Sequence, residues 1–279
     1  GQAKTISLFL DGCADLRNIP AFNTENVTNF FRAFSRCEQI FSVPDFNTRL
    51  GEDLSYMFSG CTNLLSINEI DLSSAHSIAG LFENCHNLQT VPELRTENVI
   101  NLTSLFRECW ALTEVPALDT TNAVYIGGMY YNCKQLTSIP TITTTNVVNI
   151  AELFFGCSSL EEIPEFITTD ETMETPTDKV TDMRGLFDGC KKITRVPDIS
   201  TKNVQDFSGM FKDCILITEV PELDVTNATL CSEMFYNCKS LVNVPRFITT
   251  DETTPFENCS VMYSMFKDCL FEDDPRIST

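Results

Sequence analysis

The chain is poor in histidine, tryptophan and positive charge. Two His and one Trp stand in 279 residues, too few for a His-based catalytic set or a His-rich zinc site. Lys and Arg total 19 against 39 Asp and Glu, a formal charge of −20. A phosphate backbone would be repelled, so nucleic acid is excluded as a partner. No apolar run approaches the roughly 20 residues that span a bilayer, so no transmembrane segment is expected. The start, Gly1-Gln2-Ala3-Lys4, has no initiator Met and no hydrophobic stretch behind it, so no signal peptide is read there. No P-loop, dinucleotide fingerprint or Gly-x-Ser-x-Gly occurs.

Cysteine is abundant, and its spacing is the strongest signal in the chain. Cys13, Cys37, Cys61, Cys85, Cys109, Cys133 and Cys157 follow one another at 24 residues. Cys190 comes after 33, Cys214 and Cys238 after 24 each, and Cys269 after 31. One repeat therefore runs through the whole chain, with two insertions. Other columns keep step. Three before each Cys stands an aromatic, such as Phe34, Phe58, Phe82, Tyr130 or Phe266, with Leu10 the exception. Seven before is Phe30, Leu54, Ile78 or Ile126, and ten before is Val27, Val99 or Val204. Three after the Cys is Leu16, Ile40 or Leu64; six after is Ile or Val, and then Pro20, Pro44, Pro92 or Pro116.

Offsets of three and four predict a helix of roughly two to three turns per unit. A Thr-x-Asn-Val phrase, as in Thr24 to Val27, supplies an N-cap. Gly12, Gly60, Asn84 or Asn132 just before the Cys supplies a left-handed stop. The piece between Cys and Pro reads as a short strand, ended by the proline's missing N–H. One unit cannot bury its apolar face alone, so units must stack. The expected fold is α/β: a right-handed leucine-rich repeat solenoid of ten to eleven strand–turn–helix units, with a parallel sheet on one face. At about 4.8 Å per strand it would be roughly 50 Å long. Residues 1–279 are read as a single domain with insertions near 168–179 and 249–260.

The phrase "MFxxCxxLxxVP…TxNV", seen in Asn203-Val204 through Phe207, Met210-Phe211, Cys214 and Ile217, resembles the repeats of the BspA-like leucine-rich repeat surface proteins of bacteria. That resemblance covers nearly the entire chain. It implies a curved leucine-rich solenoid with a role in cell-surface adhesion or protein binding, and it carries no catalytic residue. The Pro column and the two insertions depart from the family's usual form.

Because the cysteine spacing copies the repeat, the thiols read as reduced core residues and not as disulfides or metal ligands. Cys231 and Cys259 fall in the Phe30 and Val27 columns and are expected in the core as well. No cofactor is expected.

Three surface features could recognise a partner. An acidic column stands eight after the Cys, at Asp45, Glu69, Glu93, Glu165, Asp198 and Glu222, interrupted by Ala21, Ala117, Thr141 and Arg246. It reads either as a ribbon that meets a basic partner or holds calcium, or as a solvated face that keeps the solenoid soluble. The insertions open alike, with Asp170-Glu171 and Asp251-Glu252 at equivalent places. They read either as recognition loops or as one block duplicated with its insert. Trp110 follows Cys109, with His86 and Lys134 as neighbours in the same column. It reads either as an interface anchor or as a partly covered turn residue.

A binding module needs only repeated surfaces; an enzyme needs a constellation that breaks the repeat, and none is present. The function expected is a non-catalytic module that recognises protein or glycan at a cell surface or outside the cell, as part of a longer chain. The alternative is a virion component, and a glycoside-active enzyme is the weakest reading.

Overall fold

The computed structural model describes residues 3–170, 175–249, 256 and 259–270. Its organising feature is a backbone ladder. The residues eight before each Cys form an unbroken run of parallel bridges, from Thr5 and Asn29 through Asn101 and Asn149 to Leu230 and Val261, across eleven layers. Several of these residues are Asn or Asp, and their side chains start the next turn. Asn29 Oδ1 accepts from the Phe31 N–H at 3.0 Å, Asp53 Oδ1 from Ser55 at 2.9 Å, and Asp206 Oδ1 from Ser208 at 2.8 Å. Such Asx turns bend the chain locally.

The helix expected before each Cys is not there: among the described residues no helix forms. The chain runs instead as a spiral of successive β-turns. In the second layer the N–H groups of Phe30, Arg32, Phe34 and Arg36 donate to the carbonyls of Asp53, Ser55, Met57 and Ser59 of the next layer. The alternate N–H groups, of Ala33, Ser35 and Cys37, close turns on Phe30, Arg32 and Phe34 within the layer. Every second amide thus pairs between layers and the others pair within one.

Two left-handed residues per layer impose this path. They stand five and one before the Cys: Arg32 at φ 53° and Arg36 at 58°, Gly80 at 59° and Asn84 at 59°, Gly185 at 58° and Gly189 at 73°. An α-helix cannot accommodate a left-handed residue in its interior, whereas a β-turn with positive φ at its third position requires one. A chain of turns with a four-residue period buries i, i+3, i+4 and i+7, as a helix does. Hence the apolar spacing is compatible with both.

Strands are minimal and lie elsewhere than expected. β1 (Ile142–Thr143) pairs in parallel with β2 (Phe166–Ile167), and β3 (Leu223–Asp224) with β4 (Phe247–Ile248). All four follow the prolines; between Cys and Pro only the single bridge Ser66↔Thr90 forms among the described residues. Just past the proline the backbone has its donors back, and Ile142 N–H reaches Glu165 O at 2.9 Å.

Side chains at the Thr and Asn positions of this phrase and its variants bracket layers and do not cap helices, though Thr24 Oγ1 has no hydrogen-bond partner among the described residues. Asn98 Nδ2 donates to Ser73 O at 2.9 Å, Asn122 to Glu97 O at 2.8 Å and Asn227 to Lys202 O at 2.7 Å. Thr48 Oγ1 donates to Asp71 O at 2.8 Å, and Thr120 Oγ1 to Thr143 O at 2.8 Å.

One core cluster runs from Ile6 to Cys269. Its spine is the aromatic column. Phe34, Phe58, Phe82, Phe106, Tyr130, Phe154, Phe187, Phe211, Phe235 and Phe266 stack in sequence, with centroids 6.1 Å apart at Phe58–Phe82 and 5.2 Å at Phe211–Phe235. Such offset pairs add about 0.5–1.5 kcal/mol each beyond buried area.

The cysteines line this spine. Thiols along the column donate to the carbonyl of the aromatic one layer back: Cys61 to Phe34 O at 3.2 Å, Cys109 to Phe82 O at 3.1 Å, Cys238 to Phe211 O at 3.0 Å. That carbonyl already closes a turn, so the thiol takes its second lone pair. A small apolar residue with a weak donor is what the position needs, and Val or Ala lacks the donor. All thirteen are free. Two depart from the expected burial: Cys13 is exposed and Cys259 is half-buried. Cys13 lies in the first layer, where no earlier described layer covers it.

Candidate functional site

The columns around the end of each turn spiral bring surface side chains into register. One after the Cys, His86 and Trp110 stack with centroids 3.8 Å apart and planes 2° apart. Lys134 Nζ lies 4.6 Å from the Trp110 ring. The three residues proposed from the sequence therefore form a sandwich across three layers. Trp110 keeps 39% of its surface exposed. Its indole is fixed by Glu108, whose Oε2 accepts from Nε1 at 2.6 Å while Oε1 accepts from Asn132 Nδ2 at 2.9 Å. Glu108 sits in the left-handed position before Cys109, at φ 62°. Burial holds the His86 imidazole below its ordinary value; Glu108 opposes this and Lys134 adds to it.

Beside this sandwich, two before the Cys, lies a feature that residue order did not bring out. Arg107 Cζ sits 3.5 Å from the Tyr131 ring centre, and Tyr131 stacks on Phe155 at 4.4 Å with planes 2° apart. Arg107 also pairs with Glu83 at 3.9 Å and Glu152 at 3.4 Å. The signal is present in the residues two before Cys109, Cys133 and Cys157. On a helix that column would be the outward-turning face, where stacking between layers has no reason to occur.

The acidic column is exposed throughout, at Asp45, Glu69, Glu93, Glu165, Asp198 and Glu222. Asn68 Nδ2 donates to Asp45 Oδ1 at 2.7 Å, and Arg246 pairs with Glu222 at 2.9 Å. Glu165 and Asp198 line a groove of about 670 Å³ with Glu161, Glu162 and Glu219. Among the described residues no three acidic, His or Cys side chains converge closely enough to hold a metal ion, so nothing there supports the calcium reading. Of the insertion residues, Asp170 is placed, its N–H on Thr168 Oγ1 at 3.0 Å. Glu171, Asp251 and Glu252 lie outside the described residues.

Comparison with known proteins places the architecture. The family described as "Mycoplasma protein of unknown function, DUF285" matches residues 4–91, 52–166 and 165–275. Among solved structures, a leucine-rich repeat protein from Eubacterium ventriosum is similar at 15% identity and TM-score 0.52, over 90% of this chain and 64% of that one. A leucine-rich repeat protein from Bacteroides ovatus aligns at 19% identity and TM-score 0.45, over 81% of this chain and 60% of its own. A leucine-rich cell surface protein from Faecalibacterium prausnitzii aligns at 17% identity and TM-score 0.42, over 91% and 78%. The first of these shows the fold, a leucine-rich repeat solenoid. The chain spans less than two thirds of the length of the first two. No curated protein matches it.

Proposed function

The chain belongs to the DUF285 family, and from that premise and the geometry above we propose that it is a non-catalytic binding module, displayed at a cell surface as part of a longer protein. The single observation that carries this reading is the His86–Trp110–Lys134 sandwich. An indole is held out to solvent by neighbours on both faces and by a fixed carboxylate. Rigid aromatic anchors of this kind lose little side-chain freedom on binding and dominate interface energies. The ladder beneath makes the platform stiff, because each layer is bonded to the next along the whole spiral. The partner is a protein or a glycan: an aromatic edge flanked by an imidazole and an ammonium suits both. The acidic column and the Asp170 loop form the solvated surroundings that bias which partners approach.

The test uses beads coated with the chain, measured for retention on arrays of immobilised extracellular proteins and glycans. Trp110→Ala should lower retention on the positive spots by about tenfold or more, since a central Trp anchor is worth about 2 kcal/mol or more. The variant's circular dichroism should be unchanged. Equal retention of wild type and variant on every positive spot would remove Trp110 from the interface.

A further inference from the structure

From Arg107 onward, the column two before each Cys is a run of cations and rings, Arg107, Tyr131, Phe155, Lys212, Tyr236 and Lys267, interrupted once, at Asp188; the four earlier layers carry Asp11, Ser35, Ser59 and Glu83 there. Arg107 lies on Tyr131, Tyr131 on Phe155, and further along Lys212 and Lys267 approach Tyr236 at 5.5 and 5.6 Å. Between Phe155 and Lys212 the column holds Asp188, which is too short to cover the next rung. Glycine opens the floor on both sides. A Cβ at Gly185 would come 3.4 Å from Phe155 Cδ2, and one at Gly209 would come 3.6 Å from Asp188 Oδ2. A cavity of about 320 Å³ results, with Phe155 as one wall and Tyr263 at the far side.

The Asp188 backbone is bonded, its N–H donating to Gly185 O at 3.2 Å and its carbonyl accepting from Gly156 N–H at 2.6 Å, but among the described residues its carboxylate accepts no hydrogen bond and forms no ion pair. Lys212, the cation that acts on it electrostatically, is already engaged: its Nζ bonds Glu233 at 2.6 Å. Arg184, which also lines the cavity, turns to Asp182 at 3.7 Å. Burial pushes the Asp188 carboxyl up to about 7; Asp213, Glu233 and Glu152 push the same way, and Lys212 opposes them. Lys212 thus attracts the carboxylate from a distance, but no cation among the described residues stands at ion-pair distance from it.

We propose that this cavity is a socket for an arginine side chain of a protein partner, with the guanidinium stacked against Phe155 and paired with Asp188. The chain contains its own version of the arrangement, in which Arg107 lies flat on Tyr131 and reaches Glu83 and Glu152. A planar, weakly hydrated guanidinium both stacks on a ring and bonds a carboxylate through two N–H groups, which an ammonium cannot do. The negative charge of the chain draws such a group in. This inference rests on the reading of the chain as a protein-binding module and names the partner chemistry of a second site on it.

The test is an amide-resolved NMR titration of the full chain with N-acetyl-arginine amide, and with N-acetyl-citrulline amide as the uncharged isostere. Arginine should give saturable shifts at Phe155, Gly185, Asp188 and Gly209; citrulline should give none. Asp188→Asn, which preserves shape, should weaken the arginine response by about tenfold. The affinity for arginine should rise from about pH 6 to about pH 8 as the carboxyl ionises. Equal shifts from both compounds, shifts confined to other residues, or an unchanged response in Asp188→Asn would overturn the socket. Trp110→Ala should leave the arginine titration untouched, so failure of the Trp110 interface and failure of the socket are read separately.

Discussion

The thiol ladder makes a prediction that separates two cysteines from eleven. At pH 8 a thiol with the ordinary value of 9.0 is roughly one tenth ionised, and only the thiolate reacts with iodoacetamide. Burial pushes Cys37 up to about 11, which leaves about one part in a thousand ionised, a hundredfold loss of rate before access is considered. Cys157, completely enclosed and pushed by burial to about 12, loses about a thousandfold. Reagent must then wait for the layer to open, which multiplies the protection further. In a timed labelling experiment read by peptide mass spectrometry, exposed Cys13 should be modified first and half-buried Cys259 second. The other eleven should stay unmodified until denaturant is added, when all thirteen should react alike. A third rapidly labelled cysteine, or a Cys13 as slow as Cys109, would refute the stacking from which these rates are worked. So would any disulfide found by non-reducing digestion.

The same geometry bears on stability. Phe106→Ala removes a fully buried ring from the middle of the aromatic column and should cost about 3–5 kcal/mol in urea unfolding. Cys133→Ala deletes a buried thiol and its bond to Phe106 O and should cost about 1–3 kcal/mol, while Cys13→Ala should stay within about 0.5 kcal/mol. Gly80→Ala should destabilise by about 2–4 kcal/mol, because Gly80 stands at φ +59° and a Cβ there would overlap the Tyr56 ring. Asp188 gives a pH signature. Its folded value is raised, so the folded chain holds the proton more tightly than the unfolded chain, and stability is lost as pH climbs from about 4 to about 7. Thermal melts should therefore show Asp188→Asn matching wild type near pH 4 and melting above it at pH 8; melts that differ equally at both pH values would contradict this.

The repeat, its insertions, the core columns and the His86–Trp110–Lys134 neighbourhood were legible from residue order. A 24-residue period places equivalent residues on top of one another whatever path the chain takes between them. The path itself was not legible. Phe30, Ala33, Phe34 and Cys37 are spaced alike in a helix and in a spiral of four-residue turns, so burial pattern could not choose between them. A second glycine column at Gly80, Gly128, Gly185 and Gly209 held the clue. It was hidden because Leu8, Arg32, Tyr56 and Glu152 take the same left-handed conformation without being glycine.

Residue order alone determined that this chain is a stack of equivalent layers, because apolar side chains repeating in one register can leave water only by meeting their copies. Tertiary structure decided how each layer is wound, because the alternate amides find their acceptors in the neighbouring layer and none of them is local in sequence. It also decided that Asp188 faces an open space. That depends on the depth of two glycine steps and on a lysine already held by Glu233, and neither is visible until the layers are assembled.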